Sequence, residues 1–201
     1  MARLKRLYLK GKLLDVPHPF EEELGWLVST NHRLVMENIS RIEEEADGTA
    51  DHMDLAEIHA YSDELRRAAN NLALVGLVTR LHHWLSIFVE ELTNKNARDN
   101  SLVKNLTRLN ERIGEGPISI GFFENLVTVR DSIIHADTKI EWEFSGKKTG
   151  KKTGKKRRVV DRYANVSLGE IEFTQAHLQE AIEKSTKQVK WYDERLDALN
   201  P

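Results

Sequence analysis

The stretch LALVGLVTRLHHWLSIFVEEL, Leu72–Leu92, decides the fold. Its apolar residues occupy more than one face of a 3.6-residue period, as in the central helix of a bundle rather than a surface helix with one greasy stripe. Upstream, DHMDLAEIHAYSDELRRAANN continues the helical period, so the segment reads as one helix of unusual length or as two bent near Asn70, Asn71 or Gly76.

Working outward, PHPFEEELGWLVSTNHRLVMENISRIEEEADG opens with Pro19 and acids in a first turn. Leu24, Leu27, Val28, Val35, Ile39 and Ile42 then recur at helical spacing as far as Gly48, which predicts a helix of about seven turns. SLVKNLTRLNER is a shorter amphipathic helix ended by Gly114, Gly116 and Pro117, and Ser119 caps SIGFFENLVTVRDSIIHAD. TQAHLQEAIEKSTKQVKWYDERLDAL closes the chain as a helix with Leu178, Ala181, Ile182, Val189, Tyr192 and Leu196 as its stripe. That helix starts either at a capping box of Ser167 with Glu170 or at a later cap, Thr174.

Between the last two helices the period falls to two. Ile140, Trp142 and Phe144 alternate with charged residues, RVVDRYANV is rich in strand formers, and the two runs flank SGKKTGKKTGKK. The expected architecture is mainly α: one domain over residues 1–201, an antiparallel helical bundle with a small β-hairpin inserted at 138–166, whose basic loop spans 146–158. At 201 residues such a chain buries about 70% of its unfolded surface, enough for a core without staples.

The net charge of −2 conceals an asymmetry. Lys147, Lys148, Lys151, Lys152, Lys155, Lys156, Arg157 and Arg158 form an acid-free block, and without those eight the chain carries −10. Cations concentrated this way suit a polyanion, each lysine near a phosphate adding salt-dependent, sequence-independent affinity. They also suit a solvated loop that aids solubility. The block contains no Walker A spacing.

Chemistry enters on VRDSIIHAD, Val129–Asp137. At about 100° per residue, Phe122, Phe123, Leu126, Val127, Val129, Ile133 and Ile134 fill one arc, with Arg130 near its middle. A guanidinium projected from an apolar face must be paired, face a cavity or meet a partner subunit. Asp131 and His135, four residues apart, share a neighbouring face where the carboxylate can orient the imidazole and favour its charged form. Arg130 and His135 stand about 140° apart, poor geometry for one helix to grip one phosphate. Either the helix ends or bulges before His135, or two copies of the motif converge across a dimer axis. An interhelical ion pair and a terminal cap would use the same residues.

The segment RDSIIH resembles the signature of the HEPN superfamily (higher eukaryote and prokaryote nucleotide-binding domains): an arginine, a polar residue directly after it, and a histidine after four to six residues, on the penultimate major helix of a bundle. The motif-level likeness runs from about residue 121 to 137, and the architectural likeness from about 20 to 199; the hairpin and its lysines look like an elaboration. The resemblance implies a metal-independent endoribonuclease, a toxin or antiviral defence effector, that dimerises to build one RNA cleft from two motifs. Arg130 would stabilise the charge of the scissile phosphate, and His135 would move protons while the RNA's own 2′-hydroxyl attacks. Asp131 would position them. RNA rather than DNA would be the substrate, no cofactor would be needed, and a controlling partner such as an antitoxin would be expected. Other HEPN domains are non-catalytic binders or scaffolds, the competing expectation here. The enzyme reading requires Arg130 and His135 exposed in a shared groove; burial of Arg130 against an acid of the same subunit argues against it.

Elsewhere the residues point to structure. His82 and His83 flank Trp84 on adjacent positions that cannot share one metal from a regular helix, and no HExxH occurs. His52, Asp54, Glu57 and His59 spread around their helix as a solvated face, and Trp26, Trp84 and Trp191 read as core. No serine lies in a nucleophile elbow. The absence of cysteine excludes disulfides, thiolate metal sites and thiol nucleophiles. With no signal-peptide core and no stretch near 18 apolar residues, the expectation is a cytoplasmic protein without a membrane partner.

Overall fold

The computed structural model describes residues 19–25, 31–48, 52–135, 141–145, 154–158, 165–167 and 170–199. The chain is mainly helical, and it divides after Arg98 into two compact units, Met1–Arg98 and Asp99–Pro201.

In the first unit, α1 (Pro19–Leu24) and α2 (Asn31–Asp47) pack on α3 (His52–Thr93), an unbroken helix of 42 residues and about 63 Å. The helix runs on through Asn70, Asn71 and Gly76 without a break. Asn70 is buried, with its Oδ1 2.6 Å from Nε2 of buried His32 on α2, so this polar residue ties two helices together. The helix stops at Asn94, whose positive φ of 53° turns the chain while its N–H still reaches the Glu90 carbonyl at 2.9 Å.

Of the expected seven-turn helix, Pro19–Leu24 and Asn31–Asp47 are helical, and residues 26–30, with Trp26, Leu27 and Val28, lie outside the described residues. Along α2 the buried positions are His32, Ile39 and Ala46, seven apart, a seam narrower than the expected stripe. Val35 and Ile42 fall beside that seam and are exposed.

Polar links fix the register of α2 on α3. Arg66 donates to Glu43 across the pair and to Asp63 on its own helix at 3.0 Å, while His59 lies 3.6 Å from Glu43 and 3.5 Å from Asp47. Contacts that advance along α2 as they retreat along α3 define an antiparallel pair. The hydrogen bond from Arg66, opposed by desolvation, holds the Glu43 carboxyl below its ordinary pKa, and the same bond raises that of Arg66. A depressed carboxylate contributes stability above its unfolded pKa and loses it as pH falls through the folded one. Glu43→Gln is therefore expected to lower Tm at pH 7, and the gap from wild type should close as pH falls below about 4, which thermal melts across pH will show.

One 18-residue window in α3 reaches a mean hydropathy of 1.5, which meets the length and composition of a membrane span; 61% of it is buried inside the protein. Trp84, fully buried, meets Phe20 and Phe88 edge to face at 6.1 and 5.9 Å. That burial matches the core helix expected from Leu72–Leu92.

In the second unit α4 (Leu102–Ile113) packs against α5 (Ile120–His135) and α6 (Gln175–Leu199). Ser101 caps α4 by accepting the Lys104 N–H at 3.2 Å, and Gly114, at φ 105°, ends it. Thr174 rather than Ser167 starts α6: its carbonyl accepts the Leu178 N–H at 3.0 Å and its hydroxyl the His177 N–H at 3.4 Å. Tyr192, buried on α6, donates to Asn110 on α4, and burial pushes its phenol up to about 12. Gln188 is buried one turn earlier, where its Oε1 accepts the Ile118 N–H at 3.1 Å. A Cβ on Gly116 would stand 1.9 Å from Gln188 Nε2. Gly116→Ala should thus displace that amide and cost about 1–3 kcal/mol by urea denaturation, and in a Gln188→Ala background the same change should cost much less.

Two strand pairs precede α6. β1 (Glu141–Ser145) runs antiparallel to β2 (Gly154–Arg158), and β3 (Asn165–Ser167) to β4 (Glu170–Glu172). Lys155, Lys156, Arg157 and Arg158, read from sequence as the far part of a loop, form β2 instead. The register sets Glu141 opposite Arg158 and Glu143 opposite Lys156. Lys147, Lys148, Lys151 and Lys152 lie outside the described residues.

Candidate functional site

α5 supplies the site. Gly121 to Leu126 place Phe122, Phe123 and Leu126 in the core, and Val129 follows them. Lys184 of α6 stands 4.6 Å over the Phe122 ring, tying the two helices near this face. In the last turns the buried positions become polar: Asp131 and Ser132 are enclosed, while Ile134, expected on the apolar arc, is 46% exposed.

Arg130 begins this polar stretch. Its Nη2 lies 2.8 Å from Asp131 Oδ1, an ion pair between sequence neighbours, with 28% of the arginine side chain and 10% of the aspartate side chain exposed. The Nε of Arg130 is buried and has no hydrogen-bond partner among the described residues. A guanidinium carries five N–H donors in a planar fork. Here one ion pair engages the fork, and more than a quarter of the side chain remains open to solvent. Arg130 is thus neither fully exposed nor sealed against an acid.

α5 stays regular through His135. Of the two geometries open from sequence, a helix that ends or bulges before the histidine is ruled out, and Arg130 and His135 remain five positions apart on one helix. The His135 side chain lies outside what is described. Asp131 is the partner of Arg130, a pairing the four-residue spacing to His135 did not reveal.

The remaining sequence candidates sort by burial. His82 and His83 are half-buried and engaged in interactions of their own, as expected of packing residues. His59 serves the α2/α3 contact. Among the described residues no cluster of three histidines, cysteines or acids has metal-holding geometry. Buried Ser132, beside Asp131, was not foreseen; the only signal for it is its place one position beyond the Arg-Asp pair.

No protein-family model, no curated protein and no solved structure matches this chain. The site is therefore read from its own chemistry and from the likeness of RDSIIH to the HEPN signature.

Proposed function

We propose that the protein is a HEPN-like endoribonuclease working without a metal, in which two copies of Arg130 and His135 meet across a homodimer axis. The observation that carries the reading is the state of Arg130: a cation held in place by Asp131 and enclosed along its stem, yet with its fork partly open. An arginine that must receive a phosphate needs one side fixed and one side available.

The regular α5 supports a part for a second subunit. Since one helix directs Arg130 and His135 about 140° apart, the arginine of one copy and the histidine of the other would share a phosphate. His135 takes the proton of the 2′-hydroxyl as its oxygen attacks phosphorus, or returns one to the leaving 5′-oxygen, the P–O5′ bond breaks, and the products are a 2′,3′-cyclic phosphate and a 5′-hydroxyl. Arg130 stabilises the charge that builds on the phosphoryl oxygens. DNA, lacking the 2′-hydroxyl, is not cut. An activity of this kind calls for restraint by a partner, such as an antitoxin or a defence trigger, and for action on cytoplasmic RNA.

A second reading, a non-catalytic module that binds nucleic acid, nucleotide or protein, is favoured by the same ion pair, because Asp131 already satisfies part of the Arg130 charge within one subunit. Labelled RNA and DNA, incubated with purified protein in chelator, separate the two. The enzyme cuts RNA alone, whereas the binding module leaves both intact. Light scattering tests the dimer independently.

A further inference from the structure

α3 carries a second apolar face that its own core does not use. Asn70, Leu77 and Trp84, buried at seven-residue intervals, mark the core side of the helix. Directly opposite, about 160–200° round, runs the row Tyr61, Leu65, Ala68, Leu72, Val75 and Thr79. Tyr61 and Leu72 are 61% and 76% exposed, Ala68 and Thr79 are exposed, and Leu65 and Val75 are half-buried. One exposed apolar side chain on a surface is ordinary. A row advancing by 4, 3, 4, 3 and 4 residues is different, because those steps are the alternation of a and d positions in a coiled-coil seam.

Such a seam needs a partner helix whose side chains recur at the same spacing, and a second α3 has that spacing by identity. Side-chain size then sets the direction. In an antiparallel pair with Leu72 facing Ala68 of the second copy, Leu65 faces Val75 and Tyr61 faces Thr79, a larger residue against a smaller one in every layer. A shift of one heptad would set Tyr61 against Leu72 and crowd that layer. A parallel pair in register would stack Tyr61 on Tyr61 and Leu72 on Leu72 while leaving a gap at Ala68. Charge favours the same choice. The exposed acids Asp54, Glu57, Asp63 and Glu64 lie on the first turns of α3, and Arg80, with 44% of its side chain exposed, lies just past the other end of the seam. Antiparallel copies bring these unlike ends together, whereas parallel copies set acid beside acid.

We infer that α3 docks antiparallel on the α3 of a second copy of this chain, through the seam from Tyr61 to Thr79. The seam is about 27 Å long, which places the interface among the smaller ones, so the dimer should dissociate on dilution. It lies wholly in the first unit and does not rest on RNA cleavage. Association alone decides it.

The test is light scattering of the full-length protein over a concentration series. Wild type should pass from monomer to dimer, and Leu72→Glu, which puts a carboxylate into the seam of both copies, should weaken the dimer at least about 30-fold. Leu34→Glu, at an apolar residue of α2 that is 48% exposed and outside the seam, should leave it unchanged. Circular dichroism confirms that each variant keeps the wild-type helix content and melt. Direction is read by cross-linking, for which a chain without cysteine is suited. Ala68→Cys and Leu72→Cys proteins should form a disulfide dimer when mixed and oxidised, and far less of one when each is oxidised alone. A monomer at every concentration, a dimer that survives Leu72→Glu, or a disulfide formed by each cysteine variant alone but not enriched in the mixture would each overturn the inference. The first would favour another occupant of the seam, the second an interface elsewhere, and the third a parallel pair.

Discussion

Arg130→Ala is expected to reduce RNA cleavage by about 100- to 1,000-fold, the usual loss when one preorganised donor to a developing oxyanion is removed. His135→Ala should cost about 100- to 10,000-fold, the range for a general acid or base. The two losses should not multiply in the double variant, because both groups serve one transition state. Arg130→Lys is informative as well: it keeps the charge but not the fork, so it should restore little activity if bidentate phosphate contact matters. Single-turnover cleavage of a defined RNA measures all four. Arg130→Ala also removes the ion pair that Arg130 makes with the largely enclosed Asp131. Some loss of stability will accompany the loss of activity, and each variant's melt must be recorded beside its rate. If activity falls only in proportion to the fraction unfolded, Arg130 is a structural ion pair.

The largest effect on stability is expected at Trp84. It is fully buried on α3, bracketed by Phe20 and Phe88, with its indole N–H 3.4 Å from Glu23 Oε2 on α1. Trp84→Ala removes the bulk that joins α1 to α3 and leaves a cavity, a loss of about 3–5 kcal/mol. Against a typical total stability of about 5–15 kcal/mol, much of the protein would unfold at moderate denaturant. Trp84→Phe keeps most of the apolar volume and should cost markedly less. Denaturation followed by circular dichroism gives both values; a shift below about 1 kcal/mol for the alanine variant would contradict the packing described.

The long apolar run announced α3 because no surface helix is apolar on several faces, and the four-residue recurrences from Leu178 to Leu196 announced α6. Ile182 alone of that stripe is half-buried rather than buried. Other features were hidden for definite reasons. A seven-residue seam of His32, Ile39 and Ala46 looks in sequence like part of a wider stripe, and only packing shows that Val35 and Ile42 fall outside it. Asn70 resembles a helix bend until its bond to His32, 38 residues away, is known. Strand propensity pointed to RVVDRYANV as the partner of β1, whereas the strand pairs with GKKRR, which has almost no propensity to announce it. At the candidate site, spacing along α5 could be read from sequence, but the pairing of Arg130 with its immediate neighbour could not, since consecutive residues on a helix point about 100° apart and long side chains must fold back to meet.

The central claim is tested most directly by incubating the wild-type protein with RNA containing a single 2′-deoxynucleotide at a mapped cleavage position, beside all-ribose RNA, in the presence of chelator. The account predicts cleavage of the all-ribose strand with a 2′,3′-cyclic phosphate end and none at the deoxy position. All-ribose RNA that stays intact, or a deoxy position that is cut at the same rate, would contradict it.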